Sequence, residues 1–249
     1  MPVADQAFSW QEAIAAFAII SVAAFLVTWV ITDLLRIPRS PYIPILLVVA
    51  LGLGAAYLAW SGTSGSELIS SNVGWGLVAG LIAAAIAIPL VRKLPEHPHA
   101  TGARLVGLIL WEGVVYGIAE AVLLATLPVL AVWQACADLG WTDGGLAKIG
   151  SGALATFGAL FVILVHHLGY AEFRTQAGRR GLFGALVVCG LQAIAFLVTG
   201  NVLAPVLAHV VLHGQLLLRG AGLPPAVRNQ PRLSSTPVGT PTGTMSTTR

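Results

Sequence analysis

Two histidines stand one helical turn apart inside an apolar run. The segment APVLAHVVLH carries His209 and His213. Their i, i+4 spacing puts both imidazoles on one helix face, as in two ligands of one ion. A second apolar run, WEGVVYGIAEAVLLATLPVL, carries Glu112 and Glu120. A third ends in HHLGYAEFR, with His166 and His167 adjacent. Ionisable groups at membrane depth are costly and face a bundle interior or a polar cavity. Carboxylate and imidazole together are the ligands and bases of metal-assisted hydrolysis.

The elements that must position these groups are membrane helices. The chain is 57% hydrophobic and 9% charged, with a mean hydropathy of +0.86. A soluble domain carries about 25% charged residues. The formal charge of +3 comes from basic residues dispersed over short loops. They read as topology signals and not as a nucleic-acid footprint. Cys136 and Cys189 lack metal-ligand spacing and read as two buried free thiols. The N-terminus carries Asp5 and Glu12 and no basic residue, so it lacks the n-region of a signal peptide and its first apolar run stays as a helix.

Seven apolar stretches approach the roughly 20 residues that cross a hydrocarbon core. They lie near 11–35, 42–61, 73–91, 105–134, 148–168, 182–198 and 202–219. The expected fold is all-α, a polytopic bundle of about seven spans. With the N-terminus outside, all of the 13 Lys and Arg residues except Lys148 fall on inner segments. That bias predicts a cytoplasmic C-terminus, and the cytoplasmic (inner) membrane as the location. Trp10, Trp60, Trp75, Trp133 and Trp141 fall at outer ends and Tyr42 and Tyr170 at inner ends, as aromatic belts do. The last two spans are short, and Thr199 to Asn201 join them in a tight hairpin. From Leu223 the chain is rich in Pro, Ser, Thr and Gly. This divides it into a transmembrane domain, 1–222, and a disordered cytoplasmic tail, 223–249.

In the fourth and longest span, Glu112, Tyr116 and Glu120 form one slowly drifting stripe. Gly113 and Gly117 run beside it as a small-xxx-small pair that lets another helix approach. Pro128 is expected to kink or end the regular part. His166 and His167 point about 100° apart, so one faces a shared site and the other the interface. His97 and His99, in EHPHATGAR, read as solvated. At about 1.5 Å per residue from the nearest inner charge, Glu112, His166, His209 and His213 fall roughly 9–15 Å deep. Glu120 falls deeper, at roughly 24 Å.

The segment APVLAHVVLH resembles the last motif of the CPBP family, membrane proteases that include CAAX prenyl endopeptidases and bacteriocin-processing proteins. Pro205, Leu207 and His209 match that motif, and His213 stands where Asn is usual. Glu112 with Tyr116 resembles the first Glu and the aromatic of the family's EExxFR motif, and Glu120 begins an alternative match. Neither has the second Glu or the Arg. His166 or His167 takes the place of a His that closes a helix in the second motif. The similarity covers roughly residues 105–219. It implies a metal-dependent intramembrane peptidase acting on a peptide or membrane-protein substrate among membrane lipids. Glu112 or Glu120 would then be the general base. His166 or His167, with His209, would hold a divalent metal such as zinc or its water. His213 would stabilise an oxyanion or add a ligand. The departures in the first motif imply a second reading, a non-proteolytic immunity or scaffold protein of the same fold. A third is a b-type haem protein, with histidines of two helices as axial ligands.

Overall fold

The computed structural model describes residues 8–94, 96 and 99–220. The expected tail over 223–249 lies outside these residues, as do Asp5 and His97. The regular structure of the described residues is all helical, with no strand among them. Six helices are long and apolar enough to cross a membrane. They are α1 (Trp10–Leu34), α2 (Arg39–Ser61), α4 (Val73–Arg92), α5 (Gly102–Asp138), α6 (Gly145–Leu168) and α7 (Gln176–Thr199). A short helix, α3 (Gly65–Ser70), links α2 to α4. The seventh expected span is the 16-residue α8 (Leu203–Leu218), about 24 Å long and shorter than a ~30 Å hydrocarbon core.

Local chemistry sets the ends. Ser9 and Glu12 form a capping box on α1, satisfying two orphan amides reciprocally. Gly62 and Gly200 close α2 and α7 at positive φ (69° and 66°), where only glycine avoids a steric cost. Gly200 is the turn of the expected Thr199–Asn201 hairpin. The Asn201 amide fixes that hairpin by donating to the Ile69 carbonyl at 2.9 Å. α7 is not short. It begins at Gln176, where the Thr175 hydroxyl accepts from the Gly178 amide. Its first turns hold Arg179 and Arg180, polar residues that helix geometry tolerates beyond the apolar stretch.

The helices alternate in direction. At one end, Arg174 pairs with Asp33, Arg39 lies 3.9 Å from Glu112 and Arg219 donates to the Leu94 carbonyl at 3.0 Å. At the other, the Trp10 amide donates to Asp138 at 2.9 Å and the Trp60 indole to Glu12 at 3.4 Å. Nine of the ten described Lys and Arg residues belong to the first end, and Lys148 belongs to the second.

The centre of the bundle is α5. Its most apolar stretch is 78% buried, against 28–44% for the other five long helices, which turn side chains such as Val48, Leu146 and Val198 outward. The helix does not stop at Pro128 but continues to Asp138. Proline removes an i−4 hydrogen bond, and a π-helical stretch, Ala121–Thr126, precedes it. A second π-helical stretch, Ile109–Val115, lies one α-turn earlier, so Glu120 closes a short α-helical turn between two π segments. Such insertions often accompany functional sites.

Candidate metal centre

Three helices bring the site together, and Gly117 sets how closely. A Cβ on Gly117 would stand 3.1 Å from the Val210 nitrogen and 3.3 Å from the His209 carbonyl carbon. The α8 backbone therefore lies directly against α5, as the small-residue pair predicts. On its other side α8 abuts α4, where a Cβ on Gly80 would stand 2.7 Å from the Ala204 carbonyl oxygen. Clamped between two glycine faces, α8 presents His209 and His213 to Glu120.

Glu120 is the hub. The Tyr116 hydroxyl donates to its Oε1, and His213 Nε2 lies 2.7 Å from its Oε2. His166 Nε2 faces Oε1 at 3.5 Å, and His209 Nε2 faces Oε2 at 3.9 Å. All five residues are buried. Glu120, His209 and His213 each offer a donor atom within 4.8 Å of the others, so this buried triad can hold a metal ion. Donors on a tetrahedral ion with bonds of about 2.0–2.2 Å stand roughly 3.4 Å apart. The observed 2.7 and 3.9 Å straddle that spacing.

Proton accounting sharpens this. Thr28 donates its hydroxyl proton to the Ala24 carbonyl at 3.1 Å. His166 Nδ1 lies 2.9 Å from the Thr28 hydroxyl oxygen and 3.1 Å from the same carbonyl. A carbonyl only accepts, so Nδ1 carries a hydrogen, and in the neutral form of the ring Nε2 is bare. That nitrogen has no hydrogen-bond partner, yet it faces a carboxylate oxygen. Two lone-pair groups at 3.5 Å call for a cation or a proton between them. His213 Nδ1 is likewise buried and unpartnered, and its Nε2 is the nitrogen that meets Glu120.

A chain of hydroxyls extends from this hub. The Tyr116 hydroxyl lies 3.1 Å from that of Tyr170, which donates to Tyr42 at 3.5 Å. Tyr42 in turn lies 3.2 Å from Thr28. The expectation that Tyr42 and Tyr170 sit at the headgroups is therefore corrected. Both are buried, at 1% and 7% exposure, because their hydroxyls have partners inside the bundle.

The other expected site residues lie apart from the hub. Glu112 stands beside Arg39, whose guanidinium stacks over the Tyr116 ring at 4.1 Å. His167 turns away from Glu120, with Nδ1 2.8 Å from the Ile163 carbonyl oxygen and its ring against Phe173. His99 is exposed. Counting depth along the chain had separated Glu120 from the histidine layer, and here the two coincide. The count fails because the first turns of α5, Gly102–Leu108, have no buried residue and overshoot the packed bundle. Thr28, Tyr42, Tyr170 and Arg39 carry no spacing signal that marks them as partners of the site.

Both cysteines are buried and unpaired. Cys189 approaches the cluster, its Sγ 3.8 Å from His209 Nε2. Outside the spans, Glu172 follows α6 in a 3₁₀ turn, Ala171–Arg174. Burial raises its carboxyl to about 7, with Arg39 pulling the other way. No protein-family model, no curated protein and no solved structure matches this chain.

Proposed function

We propose that the cluster around Glu120 is the divalent-metal centre of an intramembrane peptidase of the kind that the CPBP resemblance implies. The observation that carries this reading is the convergence of three imidazoles, from α6 and α8, on one carboxylate of α5. Imidazole and carboxylate donors suit zinc among the common ions. Bound there, such an ion would lower the pKa of a water and polarise a scissile carbonyl.

The protein's own residues supply the rest. Tyr116 holds Glu120 Oε1 by its hydroxyl, fixing the carboxylate in place. His166, locked in its tautomer by Ala24 and Thr28, keeps a bare nitrogen ready to take a proton from water or from Glu120. His213 Nε2, 2.7 Å from Glu120 Oε2, would be a ligand of the ion beside His209 and Glu120. Glu120 is the base or ligand in this scheme, and Glu112 serves to hold Arg39. With the basic end of the bundle cytoplasmic, as the positive-inside rule requires, the centre lies in the cytoplasmic half of the inner membrane.

A non-enzymatic reading rests on a different observation. Tyr116 and His213 already give each Glu120 oxygen one hydrogen bond, which is enough to tie α5 to α8. The haem reading fits less well, because His166 and His209 both turn Nε2 to the Glu120 carboxylate, at 3.5 and 3.9 Å, and haem gives that carboxylate no role.

The test is metal content and turnover. Wild type and His209→Ala, purified from metal-replete cells, are assayed for bound metal. They are then reconstituted in liposomes with transmembrane peptides. Wild type is expected to retain a stoichiometric ion and cleave; the variant should do neither. Metal-free wild type, or equal cleavage by both, defeats the enzyme reading.

A further inference from the structure

We infer that Cys189 is a ligand of the Glu120 centre, so that the ion is held by one carboxylate, imidazoles and a thiolate. This rests on the metal reading above and extends it to a residue with no part in it. Cys189 is 4% exposed in the middle of α7, and its Sγ lies 3.8 Å from His209 Nε2. The same nitrogen faces Glu120 Oε2 at 3.9 Å. Sulfur and nitrogen bound to one tetrahedral ion, at about 2.3 and 2.0–2.1 Å, stand roughly 3.5 Å apart. Relative to His209, Sγ is therefore already close to a ligand position. It lies outside the 4.8 Å circle shared by Glu120, His209 and His213.

Two further observations favour a thiolate. The first is charge. Glu120 is the only carboxylate in the buried cluster, so a divalent ion bound there with neutral imidazoles leaves a net positive charge. Uncompensated charge in a low-dielectric interior is strongly unfavourable, and one thiolate makes the centre neutral. The second is His166, which is fully buried and whose unpartnered Nε2 faces Glu120 Oε1 at 3.5 Å. It gives the cluster, independently of the cysteine, a buried unpartnered nitrogen aimed at the same carboxylate. On binding, the S–H bond breaks, a sulfur–metal bond forms and the proton leaves to buffer, with no change of oxidation state.

The experiment uses the full chain in detergent, freed of metal by a chelator and titrated with Co²⁺. Wild type should give ligand-field bands of a tetrahedral ion together with a near-ultraviolet sulfur-to-cobalt band. Cys136→Ser, which changes the other buried thiol, should keep both. Cys189→Ser should keep the ligand-field bands, lose the sulfur band, and weaken binding by at least the ~10–100-fold that losing even an outer-shell partner costs. Ligand-field bands in wild type without a sulfur band overturn the inference and leave the metal centre standing. No cobalt spectrum at all overturns both. X-ray absorption on the zinc-loaded wild type needs no variant. A sulfur neighbour at about 2.3 Å supports the assignment, and a shell of nitrogen and oxygen alone refutes it.

Discussion

His213 Nε2 and Glu120 Oε2 meet at 2.7 Å although 93 residues of chain separate them. This contact joins the short α8 to the central α5 at the point where the other imidazoles converge. Removing the carboxylate should therefore do two things at once. Glu120→Ala leaves the His213 N–H buried without an acceptor, at about 1–3 kcal/mol, turns the Tyr116 hydroxyl back on Tyr170 alone, and removes the hub of the cluster. The expected result is a lowered midpoint in detergent-based unfolding together with loss of metal retention. Glu120→Gln keeps the shape and an acceptor oxygen, so it should recover most of the stability and little of the metal. A glutamine variant that binds metal like wild type would remove Glu120 from the ligand set.

The adjacent histidines make a sharper comparison. His166 points its bare nitrogen at Glu120, whereas His167 is spent on the Ile163 carbonyl and the Phe173 ring. His166→Ala should cut metal affinity at least ~10-fold, the lower bound for losing an outer partner of a metal site. His167→Phe should leave it within a few-fold. Glu112→Gln belongs with the second group, because a carboxylate 3.9 Å from Arg39 and partly exposed contributes at most about 1 kcal/mol. Isothermal titration with Zn²⁺ on the three variants checks the order, and equal losses in His166→Ala and His167→Phe would contradict it.

Much of this arrangement is legible in the chain itself, and the illegible part has physical causes. Long apolar runs divided by basic loops mark the membrane helices, because hydrocarbon length and charge bias are local properties. Gly117 beside a carboxylate marks a close helix contact, because close backbone approach needs small residues, and the structure makes α8 the partner. Depth is not local. The start of α5 runs beyond the packed bundle, so counting from Arg104 sets Glu120 too deep. Tyr42 and Tyr170 carry the composition of a headgroup belt, and only the position of Thr28 and Tyr116 in space draws them inside. Cys189 shows the same limit, since a single cysteine has no spacing to betray its neighbour on another helix.

The glycine faces that clamp α8 differ from each other in a testable way. On Gly80 a Cβ would stand 2.7 Å from the backbone oxygen of Ala204, an atom that moves only if α8 moves. Gly80→Ala should destabilise by about 1–3 kcal/mol, as overpacking does. On Gly117 the nearest atoms stand at 3.1–3.3 Å, so Gly117→Ala asks α8 to yield a few tenths of an ångström. Its main effect should be on the site, a lower metal affinity with a smaller loss of stability. Gly184 in α7 has nothing within 4 Å of a built Cβ, and its replacement by Ala should stabilise by up to about 1 kcal/mol. Unfolding midpoints for the three alanine variants test the ranking, and a stabilised Gly80→Ala would break it.

Glu172 gives the fold a pH dependence of predictable sign. Its carboxyl is raised from 4.5 to about 7 in the folded protein, chiefly by burial, and one of its oxygens has no hydrogen-bond partner. Below pH 4.5 the group is protonated in both states and costs nothing. As pH rises from 4.5 toward 7, the unfolded chain ionises first, so the folded state loses stability across that window and the loss levels off above it. The group is partly exposed, so solvent screening keeps the effect small. Glu172→Gln cannot ionise and should flatten the dependence, leaving the variant more stable than wild type at pH 8 and level with it at about pH 3, below both pKa values. Thermal unfolding in detergent at both pH values measures the difference. A wild type that gains stability relative to the variant as pH rises would reverse the sign and show that Arg39, and not burial, governs this carboxyl.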